Sequence, residues 1–195
     1  MNNVSAIFTN AKDLAFRNDS FDIAICGFMG WYDMYDFRNG EFKQQDTKAE
    51  GIWRVLREGG RFVCGSWEKQ EGLTWMENSI HRYYPEILND TEYLKHRPVG
   101  MAYEKADGYE IIFKSAGFRN IEVIREAMTF VSSDEDEWWR MMLYIGWDKY
   151  LAKIENSGKD RIEEIKRSIF KDLQSHKQTD GIHFEKIVFF VRGEK

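Results

Sequence analysis

Few side chains in this sequence could act as nucleophiles, general bases or metal ligands. The chain has two cysteines and four histidines: Cys26, Cys64, His81, His96, His176 and His183. No two histidines have the i, i+4 spacing of a helical zinc site, and none has a cysteine neighbour. Both cysteines fall in apolar stretches predicted to be buried strands, which is typical of unreactive thiols. We therefore predict no metal site and no disulfide.

The densest group of carboxylates is the run from Asp134 to Glu137, directly after Ser132 and Ser133. A metal or catalytic cluster is one interpretation. A serine N-cap followed by acidic residues in the first helical turn is the other, and the helix dipole favours negative charge there. We interpret the run as the start of a helix. His81 and Tyr103 are candidates for a general base, but the sequence singles out neither, so no catalytic residue is predicted.

Composition limits the class of protein. With 195 residues, of which 43% are hydrophobic, the chain can form one well-packed domain. A net charge of -5 argues against general nucleic-acid binding, which depends on clustered lysine and arginine. No apolar stretch is long enough to span a bilayer, and the first residues lack the pattern of a signal peptide. The expected location is the cytoplasm.

The stretch from Thr9 to Tyr32 would position a ligand. Phe21–Phe28 is an almost continuous apolar run after a polar turn, which predicts a strand buried on both faces of a parallel sheet. Val4–Thr9 is predicted to be a second strand that ends at Asn10. Gly27 and Gly30 permit a sharp turn or a close approach to a ligand at the carboxyl end of the first run, where open α/β sheets bind ligands.

Three segments, in order, resemble class I S-adenosylmethionine-dependent methyltransferases. The first is Asn10-Ala11-x-x-Leu14-x-Phe16 followed by Ser20-Phe21-Asp22 and the apolar run. The second is Ile52–Val63, with its paired glycines, and the third is Ser115–Val123. The resemblance implies an α/β fold with a Rossmann-like sheet, helices on both faces and a C-terminal antiparallel strand pair. Its implied strand order is third, second, first, fourth, fifth, seventh, sixth, with Phe21–Phe28 as the fourth strand.

The resemblance also implies site residues. S-adenosylmethionine would be bound by residues around the first two strands: Asn10, Ala11, Leu14, Cys26, Gly27 and Phe28. The family usually has aspartate at the position of Asn10, where it binds the adenine amino group, and the carbonyl oxygen of asparagine can still accept that bond. An asparagine that begins a turn is the alternative. The acceptor pocket would be walled by aromatic residues, for which we predict Trp31, Tyr32, Trp67 and Trp138; packing against helices is the alternative for each aromatic stretch.

One part of the family pattern is not found. No Gly-x-Gly-x-Gly loop precedes Val4, and none occurs later between a strand and a helix. The expectation is an N-terminally truncated sheet that lacks its first two strand–helix units. Phe21–Phe28 would then be an edge strand that invites pairing with another chain. Three partners are conceivable: the Val4–Thr9 strand, a second copy in a homodimer, or further sequence of a longer protein.

The remaining helices and strands follow from apolar spacing and turn residues. Helices are predicted over Asp46–Arg57, ended by Gly59-Gly60, and over Thr74–Leu88, Tyr109–Ala116 with Gly117 as its cap, the stretch from Trp138 to Trp147, and Lys159–His176. Strands are predicted over Arg61–Trp67, Asn120–Val131 and Ile182–Gly193; Asn89–Lys105 is interpreted as a loop. We expect a single domain over 1–195, in which 132–178 forms a helical insertion or cap between the last two strands.

Two functions from different classes remain. The first is a methyltransferase that acts on a small or medium-sized molecule, although competence of the truncated chain as an enzyme is uncertain. Methyl transfer depends mainly on alignment in a dry pocket, which agrees with the lack of a nucleophile–base pair. The second is a cofactor-free remnant that serves as a dimerising or partner-binding module. A nicotinamide-dependent enzyme is a weaker third alternative, because it needs the same glycine-rich loop.

Overall fold

The structure, a computed structural model, describes residues 4–89, 104–155 and 159–195. Within these ranges the strands are β1 (Phe21–Gly27), β2 (Tyr35–Asp36), β3 (Glu41–Phe42), β4 (Leu56–Gln70), β5 (Arg119–Ser132), β6 (Lys177–Gln178) and β7 (Gly181–Glu194). The α-helices are α1 (Thr47–Val55), α2 (Glu71–Tyr83), α3 (Ala106–Ala116), α4 (Glu135–Met142), α5 (Asp148–Glu155) and α6 (Lys159–Leu173). The predicted loop Asn89–Lys105, with His96 and Tyr103, lies largely outside the described residues.

The chain forms two compact units. The first contains residues 4–68, 104–126 and 188–195, and the second contains 69–89, 127–155 and 159–187. Each unit has its own apolar core. Aromatic side chains from several elements fill the first core, among them Trp31, Phe62, Tyr109, Phe113 and Phe189. The second core is built mainly by α2 and α4–α6 together with Ile182 and Phe184.

The strand order confirms what the resemblance implied. The main sheet has the order β1-β4-β7-β5, with β6 paired to β7. These four strands correspond to the fourth, fifth, seventh and sixth of the family order. β1 and β4 are parallel, with Ala24 opposite Phe62. The side-chain pairs Asn120–Glu194 and Phe130–Lys186 show that β5 and β7 run antiparallel, as predicted.

Burial of the first predicted strand on both faces is wrong. β1 forms where expected, but Ile23 is 61% exposed and Ile25 is 79% exposed. β1 is the first strand of the sheet, so β4 flanks it on one side only. An apolar run indicates that a strand can be buried, but it does not determine how many neighbouring strands the fold places beside it.

The predicted strand Val4–Thr9 is also wrong, because these residues have no regular structure and most of them are exposed. A strand needs a neighbour to bond its backbone, and none of the described strands pairs with this segment.

At the first helix, the prediction has the right start and the wrong end. Asp46 is the N-cap, and its carboxylate accepts hydrogen bonds from the amides of Lys48 (3.0 Å) and Ala49 (3.1 Å). α1 stops at Val55, however, and Gly59-Gly60 lies inside β4 rather than at the helix end. Leu56 takes an extended conformation because it is opposite Phe21 in the sheet and fully buried.

Other helix boundaries differ from the predictions in similar ways. α2 begins earlier, at Glu71, and a 3-10 turn (Pro85–Asn89) follows it. α3 ends at Gly117 in the left-handed conformation (φ 99°), which confirms the predicted cap. α6 ends at Leu173, before a short 3-10 turn.

The acidic run starts a helix as predicted, but the N-cap is Asp134 and not Ser132 or Ser133. The carboxylate of Asp134 accepts a hydrogen bond from the amide of Glu137 (2.7 Å), and Glu137 in turn accepts one from the amide of Ser133 (2.5 Å). The arrangement resembles a capping box, except that Glu137 bonds the amide of the residue before the N-cap. The aromatic stretch that follows is not one regular helix, because Gly146 (φ 117°) interrupts it within a π-helical turn, Leu143–Trp147. Helices α4–α6 lie between β5 and β7; that residues 132–178 form an insertion or cap stays a prediction.

Candidate functional site

The loop that carries Asn10 leads from the start of the chain to β1. The side-chain carbonyl of Asn10 accepts a hydrogen bond from the amide of Lys12 (3.0 Å), which forms a small turn. Asn10 itself is exposed. Asn10 therefore begins a turn, which was its alternative interpretation. One lone pair of its side-chain carbonyl oxygen remains for a ligand.

Arg54 of α1 fixes the next part of this loop. Its guanidinium donates to the carbonyl oxygens of Leu14 (2.7 Å) and Phe16 (2.7 Å) and to the side chain of Asn18 (2.9 Å). Carbonyl groups in a loop need such donors. Arg54 is not predictable from the sequence, since an arginine on the polar side of an amphipathic helix gives no signal that it will bond loop carbonyl groups.

A cavity of about 380 Å³ lies between this loop, β1 and α1. It contains three of the six predicted cofactor residues: Ala11, Leu14 and Cys26. The other lining residues are all apolar: Phe16, Phe21, Ile23, Ala24, Ile25, Met29, Ile52, Val55 and Phe62. Consecutive residues of β1 line it although their side chains alternate between the two faces of the sheet, so the cavity extends along the open edge of the strand.

Both cysteines are reduced and lie opposite each other on β1 and β4. Burial raises the pKa of the Cys26 thiol, which lines the cavity, and that of Cys64 still more. Both thiols therefore stay protonated, which agrees with the prediction of unreactive cysteines.

Glu104 anchors the aromatic loop that follows β1. Only 4% of Glu104 is exposed. One carboxylate oxygen accepts hydrogen bonds from the amides of Trp31 (2.6 Å) and Tyr32 (3.1 Å). The other accepts from the hydroxyl groups of Ser66 (2.5 Å) and Tyr109 (2.5 Å). The carboxylate thus has four donors, which satisfy a buried charge.

Two further features support this arrangement. A side chain at Gly30 would come within 2.6 Å of a Glu104 carboxylate oxygen, so only glycine allows the backbone this close. Burial and the neighbouring charge of Glu104 raise the pKa of the Tyr109 hydroxyl, which therefore remains a donor. Glu104 lies in the stretch interpreted as a loop, and nothing in the sequence around it predicts this role.

A second carboxylate holds the side chain of Trp31. The indole Nε1 donates to the carboxylate oxygens of Asp46 (3.1 and 3.3 Å), and Trp31 is fully buried. Burial raises the pKa of Asp46, despite its hydrogen bonds from two backbone amides and Trp31. Lys48 donates to the carbonyl oxygen of Gly30 (3.0 Å) and to Asp33 (2.6 Å), so the loop after β1 is bound from several directions.

The remaining predicted site residues occupy different surroundings. Phe28 has a positive φ of 57° and stacks on Trp67 with 4.4 Å between ring centroids, next to Gly27 at the end of β1. Tyr32 is 44% exposed. Trp138 belongs to the second unit, where it is fully buried against Trp75 and Phe184. The first unit therefore holds all the predicted cofactor residues and three of the four predicted pocket residues.

No catalytic constellation stands out in the described part of the chain. Its His, Cys, Asp and Glu side chains form no group of three or more that could hold a metal ion. His183 pairs with Asp180 (2.6 Å), and His176 stacks on Phe184. His81 lies 4.0 Å from Glu77, while Tyr103, the other candidate base, is outside the described residues. None of the described helices is long and apolar enough to cross a membrane.

No protein-family model and no curated protein sequence matches the chain. Solved structures do resemble it. A protein from Bacillus halodurans, proposed to be a methyltransferase, superposes with a TM-score of 0.50 and 15% identity over 98% of this chain and 78% of its own. The YcgJ protein from Bacillus subtilis has a TM-score of 0.47 and 16% identity, with 96% and 69% covered.

A SAM-dependent methyltransferase from Thermotoga maritima is also similar, with a TM-score of 0.42 and 12% identity over 96% of this chain and 62% of its own. At these identities the similarity concerns the fold and not the substrate. The strand order, the antiparallel final strands and the first of these superpositions agree with the sequence resemblance. The chain has the Rossmann-like fold of the class I methyltransferases.

Proposed function

We propose that this chain is a methyltransferase domain that binds S-adenosylmethionine and methylates a small or medium-sized molecule. The observation that carries the proposal is the cavity beside β1, which brings Ala11 and Leu14 of the preceding loop together with Cys26 of β1. All three are residues that the resemblance to the family implies for cofactor binding. The methyltransferase fold supports the same conclusion.

The cavity fits one portion of the cofactor. Its volume of about 380 Å³ is within the range of small-molecule pockets, and its apolar walls suit the faces of an adenine ring. Asn10, directly before Ala11, offers a carbonyl oxygen to the adenine amino group. Among the described residues, no charged side chain lines this cavity, so the lining fits the adenine and not the ribose or methionine portion.

When bound, the cofactor would supply a methyl group on a positively charged sulfur. The chain's own residues would hold the adenine, align the acceptor and exclude water. Tyr32 and Trp67 are the aromatic residues proposed to contact the acceptor, because Trp31 and Trp138 are fully buried. Glu104 fixes the backbone that presents Tyr32.

A second candidate function is a cofactor-free binding module. Two observations favour it: the absence of charged side chains in the lining of the cavity, and the open edge of β1. Such a module would use the fold to bind a partner and would not bind the cofactor.

Calorimetric titration of S-adenosylhomocysteine into the full chain distinguishes the two functions. The methyltransferase proposal expects a Kd in the micromolar range or below. Ala11→Trp, which fills the cavity, should abolish binding, whereas Ala152→Trp on the exposed side of α5 should not. Asn10→Ala should weaken binding by up to about tenfold, the effect of one hydrogen bond, and Asn39→Ala should have no effect.

Absence of binding by a chain whose circular dichroism shows it to be folded would refute the cofactor proposal. Binding that is unaffected by Ala11→Trp would mean that the cofactor lies elsewhere. The first result would favour the binding module.

A further inference from the structure

The open edge of β1 differs from the other outer strand of the sheet. Proteins protect exposed edges with charged residues, proline or bulges. β5, at the opposite end of the strand order, has Arg119, Glu122, Arg125 and Glu126 along its length. β1 has the sequence Phe-Asp-Ile-Ala-Ile-Cys-Gly, with one charged residue. β1 has no proline, and the one irregularity in its pairing with β4 lies at its start, between Phe21 and Ile23, so its central part has few of the features that keep an edge strand unpaired.

The hydrogen bonds of β1 show which backbone groups lie on the open side. The amide of Ser20 donates to Val55 (2.8 Å), and the amide of Phe28 donates to Gly65 (3.0 Å). Alternate residues of a strand direct their N–H and C=O groups to the same side. The even-numbered residues of β1 therefore face β4, and the backbone groups of Phe21, Ile23, Ile25 and Gly27 face the open side.

We propose that a second copy of this chain pairs with this edge, β1 against β1, antiparallel about a two-fold axis at Ala24. In this register Ile23 pairs with Ile25 of the second copy, and Phe21 pairs with its Gly27. Each such pair exchanges two N–H···O bonds. All four residues with unpaired backbone groups are then satisfied, whereas a two-fold axis at Ile23 or Ile25 leaves some of them unpaired.

Side chains also fit this register. The one charged residue, Asp22, is opposite Cys26 of the second copy and not opposite another carboxylate, and it is already paired with Arg57 (2.7 Å). Ile23 and Ile25, which are 61% and 79% exposed, would meet their counterparts on the open face of the sheet. In this register apolar side chains meet apolar ones, no carboxylate meets another, and every open backbone group is paired, so the strand is self-complementary and we take the occupant to be a second copy.

Dimerisation would also close the cavity. The cavity extends along the edge of β1, and the strand of the second copy would lie beside that edge. The dimer does not depend on cofactor binding, since its evidence is the edge itself. The test measures the mass of the chain in solution, so its result can be interpreted even if the chain does not bind the cofactor.

Light scattering after gel filtration measures the mass of the full chain. The wild type should have twice the 23.2 kDa of one chain. Ile23→Lys/Ile25→Lys places lysines opposite each other and should be monomeric, as should Ile23→Glu/Ile25→Glu. An equimolar mixture of the two variants should recover the doubled mass, because lysine then faces glutamate. Tyr144→Lys, at a residue 92% exposed in the second unit, should remain dimeric.

Cross-linking tests the register. Ala24 would face Ala24 of the second copy in a pair without direct hydrogen bonds, where side chains come closest. Ala24→Cys should therefore form a disulfide-linked dimer in air, whereas the wild type and Ala152→Cys should not. Three results would overturn the proposal: a monomeric wild type, double variants that remain dimeric, or hydrogen exchange that shows protected Ile23 and Ile25 amides in a monomer. The last would mean that the chain covers its own edge.

Discussion

Glu104 gives the sharpest test of how the first unit is held together. Its buried carboxylate is the acceptor for two amides and two hydroxyl groups. Glu104→Ala removes the acceptor and leaves all four donors. An orphaned buried donor costs about 1–3 kcal/mol, and water that enters the vacated space recovers part of this. We expect the free energy of unfolding to fall by about 4 kcal/mol, comparable with the loss of one partner of a buried ion pair.

Glu104→Gln changes the charge and the hydrogen bonding of the side chain while its volume stays nearly the same. The amide oxygen can still accept from Trp31 and Tyr32, but the amide nitrogen is a donor and faces two hydroxyl donors. One or both hydroxyl groups must rotate and lose their acceptor, at a cost of about 1–2 kcal/mol. Removing one of these donors with Tyr109→Phe should make the Glu104→Gln penalty smaller than in the wild type.

Urea unfolding followed by tryptophan fluorescence measures these changes at constant m value. The control is Glu110→Gln, on the same helix as Tyr109 but with a side chain 46% exposed, where the lost pair with Lys114 should cost less than about 0.5 kcal/mol. If Glu104→Ala and Glu104→Gln both stay within about 0.5 kcal/mol of the wild type, the four hydrogen bonds do not stabilise the unit and the reasoning is wrong.

Three further predictions concern the second unit, each measured by urea unfolding. Gly181→Ala should cost about 3 kcal/mol, because the φ of Gly181 is 141° and a side chain there would lie 2.1 Å from the carbonyl oxygen of Ser132; an unchanged midpoint would contradict this. Asp134→Ala removes the N-cap of α4 and should cost about 1 kcal/mol, whereas Asp134→Ser should largely restore it. Hydrogen bonds from Lys177 and Gln174 lower the pKa of Glu135 to about 2 from 4.5, so its carboxylate stabilises the fold above pH 4.5 and loses that effect as the pH falls to about 2. Glu135→Gln should therefore destabilise the protein by about 1 kcal/mol at neutral pH, and by progressively less as the pH falls from 4.5 through about 2; an equal effect at neutral and acidic pH would contradict the assignment.

Much of the fold was predictable because its signals are local. The apolar run at β1, the acidic run before α4 and Gly117 after α3 each reflect a preference of a few neighbouring residues. The resemblance to a methyltransferase supplied the strand order, which no local signal contains.

The sequence by itself determined which segments can become strands and helices. Its family resemblance implied six cofactor residues, three of which, Ala11, Leu14 and Cys26, line one cavity. Only the tertiary structure decided which of those segments find a partner. Val4–Thr9 and β1 have similar apolar character, yet β1 becomes a strand because β4 bonds its backbone, and Val4–Thr9 has no such neighbour. The roles of Glu104 and Arg54 also depend on tertiary contacts and could not be predicted from the sequence. Each side chain bonds backbone groups that are distant in the sequence and that only the fold brings within hydrogen-bonding distance.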